Sequence, residues 1–198
     1  MLDFNSAERF VCDLLTSHLP DGLSYHDVGH TMDVVNVSRA LCEHYQLNSH
    51  DTRLVSIAAL FHDTGFVHTY DGHEAKSVEI MKDYFKDTID GSDLERMAGM
   101  IMATKVPQDP KGLLESILAD ADLDYLGRDD FYANDAKLYD ELDTWNKIKS
   151  KNDWLIEQIE FLENHQYHTD RSRALRGQQK AERIVELKHQ LSIQVGSK

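Results

Sequence analysis

Six side chains in this sequence combine imidazole and carboxylate groups in an order that could do chemistry: His26, His30, His62, Asp63, His73 and Asp122. Each falls where the local pattern begins or ends an element, which is where a side chain can turn into a shared cleft. Imidazole and carboxylate together suit Mn, Mg, Fe, Co, Ni or Zn and single out none of them. The His62-Asp63 pair closes an apolar stretch running from Leu54 to Phe61, and two polar groups at the end of a buried helix are costly unless they bind something. A divalent metal is the simplest partner. Taken alone, the pair reads better as a helix C-terminus with a dipole-stabilised His and a solvated Asp. His30 before it and an aspartate after it tip the reading toward a metal site. That later carboxylate stands in Ala119-Asp120-Ala121-Asp122-Leu123-Asp124, where the aspartates alternate and spacing alone lets the ligand slip among them.

The elements that must position these residues read as helices. Phe10, Val11, Leu14 and Leu15 share one face of a segment from Ser6 to His18, which Pro20-Asp21-Gly22 then ends. Thr31–Tyr45 repeats the pattern. Asp51–His62 is apolar nearly all round and is expected to be a central helix enclosed by the others. Further helices are expected at Glu74–Phe85, Ser92–Thr104, Lys111–Leu118 with an extension toward Leu126, Asp129–Asn146, Lys151–Asn164 and, highly charged, Ser172–Leu191. No alternating strand pattern and no hairpin turn signal interrupts them. The fold class is therefore all-α, and without repeats, low-complexity segments or a visible linker the 198 residues are expected to form one domain.

Composition narrows the function. There are 21 Lys and Arg against 35 Asp and Glu, a net charge of −14, which argues against binding of nucleic acid because phosphate neutralisation needs clustered cations. The one modest group, Arg171 to Arg183, is interleaved with acids and amides and reads as a solvated helix face. Trp145 and Trp154 read as packing anchors. Cys12 and Cys42 make neither a disulfide framework nor a CxxC pair, so a reducing compartment, the cytoplasm, is expected. No run of eighteen apolar residues and no signal peptide is visible, so no membrane partner is expected. The apolar positions of the terminal helices leave a homodimer open.

The ordered set His30, His62-Asp63 and Asp122 resembles the H…HD…D signature of the HD-domain superfamily of metal-dependent phosphohydrolases. Tyr25-His26-x-x-x-His30 resembles the first motif of HD proteins, including cyclic-nucleotide phosphodiesterases, Ala58 to Gly65 resembles the HD helix, and Ala121-Asp122-Leu123 resembles the last ligand motif. The likeness spans roughly residues 25 to 126, with a helical C-terminal extension over about 129–191. It implies an HD-type helical bundle holding one divalent metal through His30, His62, Asp63 and Asp122. It also selects Asp122 among the neighbouring aspartates, leaving Asp120 as a supporting or capping carboxylate. The implied reaction is hydrolysis of a phosphate ester, of a nucleotide or another small phosphorylated metabolite, by attack of a metal-bound water on phosphorus. Asp63 would orient that water or take its proton, and His26 would act as general acid or donate a hydrogen bond to phosphate. His73, Lys105 and Arg128 are the remaining expected substrate contacts.

Two-metal members of the superfamily supply further His residues after the HD pair. His73 stands where one belongs, with His68 a weaker choice, whereas Thr104-Lys105 stand where the next is expected. One metal is the main reading and a second ion is left open. Two rivals follow: an HD-fold di-iron oxygenase, and a non-catalytic nucleotide-binding or regulatory module.

Overall fold

The computed structural model describes residues 2–196 and, among them, contains helices and no strand. The helices are α1 (Phe4–His18), α2 (Val28–His44), α3 (Ser49–Phe61), α4 (His73–Phe85), α5 (Gly91–Met102), α6 (Leu113–Asp122), α7 (Phe131–Thr144), α8 (Lys151–Asn164) and α9 (Asp170–Gly196), with 3-10 turns at Thr64–Val67 and Asp124–Gly127. The all-α expectation holds, and none of these helices is long and apolar enough to cross a membrane. The chain divides into two compact units, one up to Asp122 and the other from Leu123 onward.

In the first unit, α3 is the central element, packed against α1, α2, α4, α5 and α6. Its residues Leu54 to Phe61 are all buried, as an all-round apolar helix requires. Around it α1 contributes Ala7, Val11 and Leu15, α2 contributes Val34, Val35, Leu41 and Cys42, and α5 contributes Met97, Met100 and Ile101. The helix starts follow side-chain caps. Asp3, Asp27, Asn48 and Asp90 each accept backbone N–H groups of the turn that follows, and each such cap contributes about 1 kcal/mol. These caps move the starts of α1, α3 and α5 one or two residues ahead of where apolar periodicity alone puts them.

The second unit packs α9 against α8 and against the turn Asp124–Gly127. The expected extension of α6 toward Leu126 does not occur: α6 stops at Asp122 and the chain tightens into that turn. Asp124 is consequently buried and accepts both arms of the Arg176 guanidinium, at 2.8 and 3.0 Å. The basic group of α9 is thus only partly a solvated face. Lys180 is buried as well, its ammonium donating to the carbonyls of Leu162 and His165 at the end of α8, where helix carbonyls lack partners.

Candidate metal centre

His30 lies in the first turn of α2. The Asp27 carboxylate that caps this helix accepts the His30 backbone N–H at 2.9 Å, so one side chain both starts the helix and fixes the residue that carries the imidazole. His62 directly follows α3. Its Nδ1 donates to the Ala59 carbonyl at 2.8 Å, and because a carbonyl only accepts, Nδ1 carries a proton and Nε2 is the atom left to face inward. Asp63 sits in the bend that follows, and Asp122 closes α6.

These chain positions bring four donor atoms together. His30 Nε2 lies 3.2 Å from Asp122 Oδ1 and 3.4 Å from Asp63 Oδ2. His62 Nε2 lies 3.1 Å from Asp63 Oδ2, 3.4 Å from Asp122 Oδ1 and 3.4 Å from His30 Nε2. One donor atom of each residue lies within 4.8 Å of every other. Adjacent ligands about 2.1 Å from a common cation stand roughly 3.0 to 3.4 Å apart, so the spacing fits a small divalent ion. A further observation points the same way: Asp63 Oδ2 is buried and makes no hydrogen bond, despite two imidazole nitrogens at near-contact distance. An ionised oxygen in that position needs a cation to be stable. Two nitrogen and two carboxylate donors suit the transition metals and magnesium without choosing among them.

The electrostatics are those of two carboxylates demanding positive charge. Burial pushes His30 down, but the hydrogen bond to Asp122 and the contact with Asp63 outweigh it and hold the imidazole up at about 9. His62 is raised in the same way against its burial, chiefly by the charge of Asp63. Reciprocally, burial would raise the acids, yet His30 and His62 hold Asp122 at about 2, and the charge of His62 with contacts from His30 and His73 holds Asp63 well below the carboxylate range. Imidazolium or a divalent cation can satisfy that demand.

Beside this cluster stands His73, the first residue of α4. Its Nδ1 donates to the Tyr70 carbonyl at 3.1 Å, which leaves Nε2 at 3.4 Å from Asp63 Oδ1 and 3.8 Å from Glu74 Oε1. Asp63 therefore turns one oxygen to His30 and His62 and the other to His73. The rings of His26 and His73 both stack on Phe66, at centroid distances of 4.3 and 3.8 Å, and stand 6.2 Å from each other. Phe66 and Asp27 were not among the residues singled out from sequence. Asp27 carries a readable signal, an aspartate three residues ahead of His30 at a helix start. Phe66 carries none that separates it from an ordinary core aromatic.

The remaining expected contacts are placed differently. Lys105 is exposed on the turn after α5, and among the described residues it makes no ion pair. Arg128 belongs to the second unit, where its guanidinium pairs with Asp130 at 2.5 Å and lies 3.5 Å from Asp124. His68 is exposed. Asp120 is fully buried, and Asp124 is committed to Arg176, so Asp122 is the aspartate of its run that meets the two histidines. In comparisons with known proteins, a family model described as HD domain matches residues 27–145. No curated protein and no solved structure matches the chain.

Proposed function

The chain belongs to the HD-domain family, a superfamily of metal-dependent phosphohydrolases, and from that premise we propose that it hydrolyses a nucleotide or another small phosphate ester with one divalent metal held by His30, His62, Asp63 and Asp122. The observation that carries the reading is the convergence of these four donors around the buried, unbonded oxygen of Asp63. A divalent cation held there supplies Lewis-acid polarisation of a phosphoryl oxygen and lowers the pKa of water.

The chain's own groups do the rest. Asp63 divides its carboxylate, one oxygen toward the donor cluster and one toward His73, so the outer oxygen is the group to orient the attacking water or accept its proton. His73, raised by its contacts with Asp63 and Glu74 against the pull of burial, is the hydrogen-bond donor beside that oxygen. His26, seated on Phe66, is the general acid or the donor to phosphate. Lys105, free of carboxylate partners, is the cation offered to the substrate, whereas the Arg128 guanidinium is already paired with Asp130. With a net charge of −14 the protein repels a polyanionic substrate at long range, so these local donors matter.

The test is elemental analysis of the purified protein together with phosphate release from a panel of nucleotides and an aryl phosphate, with Mn, Mg, Co, Ni, Fe or Zn added. Near one equivalent of metal and metal-dependent release support the reading. His30→Ala, His62→Ala, Asp63→Ala and Asp122→Ala should each lose metal and activity together, and His26→Ala should lose turnover with the metal retained. A fully active, metal-free Asp63→Ala protein overturns it. The approach of His73 Nε2 to the outer oxygen of Asp63 favours one alternative, a di-iron oxygenase. Two equivalents of iron with oxygen-dependent turnover and no phosphate release would select it, and absence of metal under every loading condition would select a binding module.

A further inference from the structure

The second unit contains a cavity that the phosphohydrolase reading does not use. It lies among α7, α8 and α9, has a volume of about 320 Å3, and is walled by Tyr132 and Tyr139 of α7 and Trp154 of α8. The rings of Tyr139 and Trp154 are 6.5 Å apart at an interplanar angle of 56°, an opened pair of faces and not a closed stack. Helical spacing makes this wall: Tyr132, Asp135 and Tyr139 recur at i, i+3 and i+7 on α7, and Lys151, Trp154 and Gln158 recur at the same steps on α8.

Asp135 is the half-buried acid in this wall, and it lacks a counter-charge. Its Oδ1 accepts from Trp154 Nε1 at 3.1 Å and from the Gln158 amide, both neutral donors, and among the described residues no Lys, Arg or His forms an ion pair with it. Burial pushes its carboxyl up to about 6, against the lowering effect of the Trp154 bond, so near neutrality the charge is present but poorly compensated. Lys151 stands on the rim with its ammonium 5.5 Å from the centre of the Tyr139 ring. The chain's own cations thus already sit against this aromatic wall, Lys151 at Tyr139 and Arg183, paired with Glu186, at 4.9 Å from the centre of the Tyr132 ring, and neither forms an ion pair with Asp135. Asp140 adds a second acid to the lining. An anion would meet both carboxylates, and an uncharged ligand would cover Asp135 without answering its charge. A cation gains from the ring faces and the carboxylate together.

We propose that this cavity is a binding site for a small organic cation of the alkylammonium or quaternary ammonium class, with Asp135 as counter-ion and Tyr132, Tyr139 and Trp154 as the aromatic walls. The test follows the indole N–H resonance of Trp154, the proton donated to Asp135, during titration of the full chain with choline chloride and, separately, with its uncharged carbon isostere, dimethylbutanol, at constant ionic strength. Choline should shift the resonance saturably, and the isostere should bind at least about tenfold more weakly. Asp135→Asn keeps an acceptor oxygen for Trp154 while removing the charge, and should weaken choline by about tenfold or more. Lys151→Gln removes the competing ammonium from an exposed position and should bind choline at least as tightly as the parent chain. Equal binding of choline and the isostere, no saturable shift with choline, unchanged affinity in Asp135→Asn, or weaker binding in Lys151→Gln would each overturn the proposal. The first comparison uses the unaltered chain, so it does not depend on the folding of any variant.

Discussion

Gly65→Ala tests how the metal centre is held in shape. A Cβ at this position would lie 1.9 Å from the carbonyl oxygen of His73 and 2.8 Å from both the His73 carbonyl carbon and the Ser77 amide nitrogen. All three are backbone atoms, so no side-chain rotation relieves the contact. The turn Thr64–Val67 or the first turn of α4 must move by more than an ångström. That movement also lengthens the bond from the Gly65 N–H to the Ser77 hydroxyl, now 2.8 Å and buried. Overpacking of this kind costs about 1 to 3 kcal/mol, and an unmade buried hydrogen bond costs about 1 to 3 kcal/mol. The expected loss is about 2 to 6 kcal/mol, seen in urea titrations as a lower midpoint with an unchanged slope. Since the clash falls on His73 itself, metal-dependent phosphate release should fall too. Adding His73→Ala to Gly65→Ala should then cost less activity than His73→Ala costs alone, because both act through one group. A Gly65→Ala protein within about 0.5 kcal/mol of the parent chain would refute the close backbone approach and the positioning argument built on it.

Three further outcomes are expected. Asp27→Ala should lower stability by about 1 kcal/mol as the cap of α2 is lost, and should weaken metal binding, measured by calorimetric titration, whereas Asn48→Ala, which removes the comparable cap of α3 away from the donor atoms, should not. Arg176→Met should cost about 1 to 3 kcal/mol in denaturant melts by removing the two bonds to buried Asp124, with Arg128 at 3.5 Å still answering part of the charge, and combining it with Asp124→Asn should restore much of the loss. Asp135 has a carboxyl raised from 3.8 to about 6 by burial, so the native state holds its proton more tightly than the unfolded state. Stability from this group is therefore present below about pH 4, falls as pH rises toward 6, and is flat above. The full displacement corresponds to about 3 kcal/mol, and partial exposure of the carboxylate reduces it to about 1 to 2 kcal/mol. Asp135→Asn should accordingly be more stable than the parent chain at pH 7.5 and indistinguishable from it at pH 4, as read by parallel melts, and an advantage that persists at pH 4 would contradict the assignment.

What the sequence made legible, and what it did not, follows from the range of the interactions involved. The buried α3 was readable because a helix that is apolar on every side has no solvent face to present, and its end at His62-Asp63 was readable because polar groups there need a partner. The choice of Asp122 over Asp120 and Asp124 came through likeness to a family, since three aspartates at alternate positions offer the same chemistry to anyone counting residues. In the folded chain the three separate for a long-range reason: Asp124 is drawn to Arg176, fifty-two residues away, and α6 ends before it. No local pattern encodes that pairing, which is also why the extension of α6 toward Leu126 was expected and why Arg176 and Lys180 were read as solvated. Phe66 was missed for a related reason. Its importance lies in two imidazoles that reach it from residues 26 and 73, and an aromatic residue becomes a platform only when the fold brings rings to both. The aromatic and polar stripes of α7 and α8, Tyr132, Asp135 and Tyr139 on one and Lys151, Trp154 and Gln158 on the other, are by contrast present in the sequence at regular helical steps. They went unread because such a stripe is normally spent on packing, and only an open cavity with an uncompensated carboxylate in its wall distinguishes a binding face from a core face.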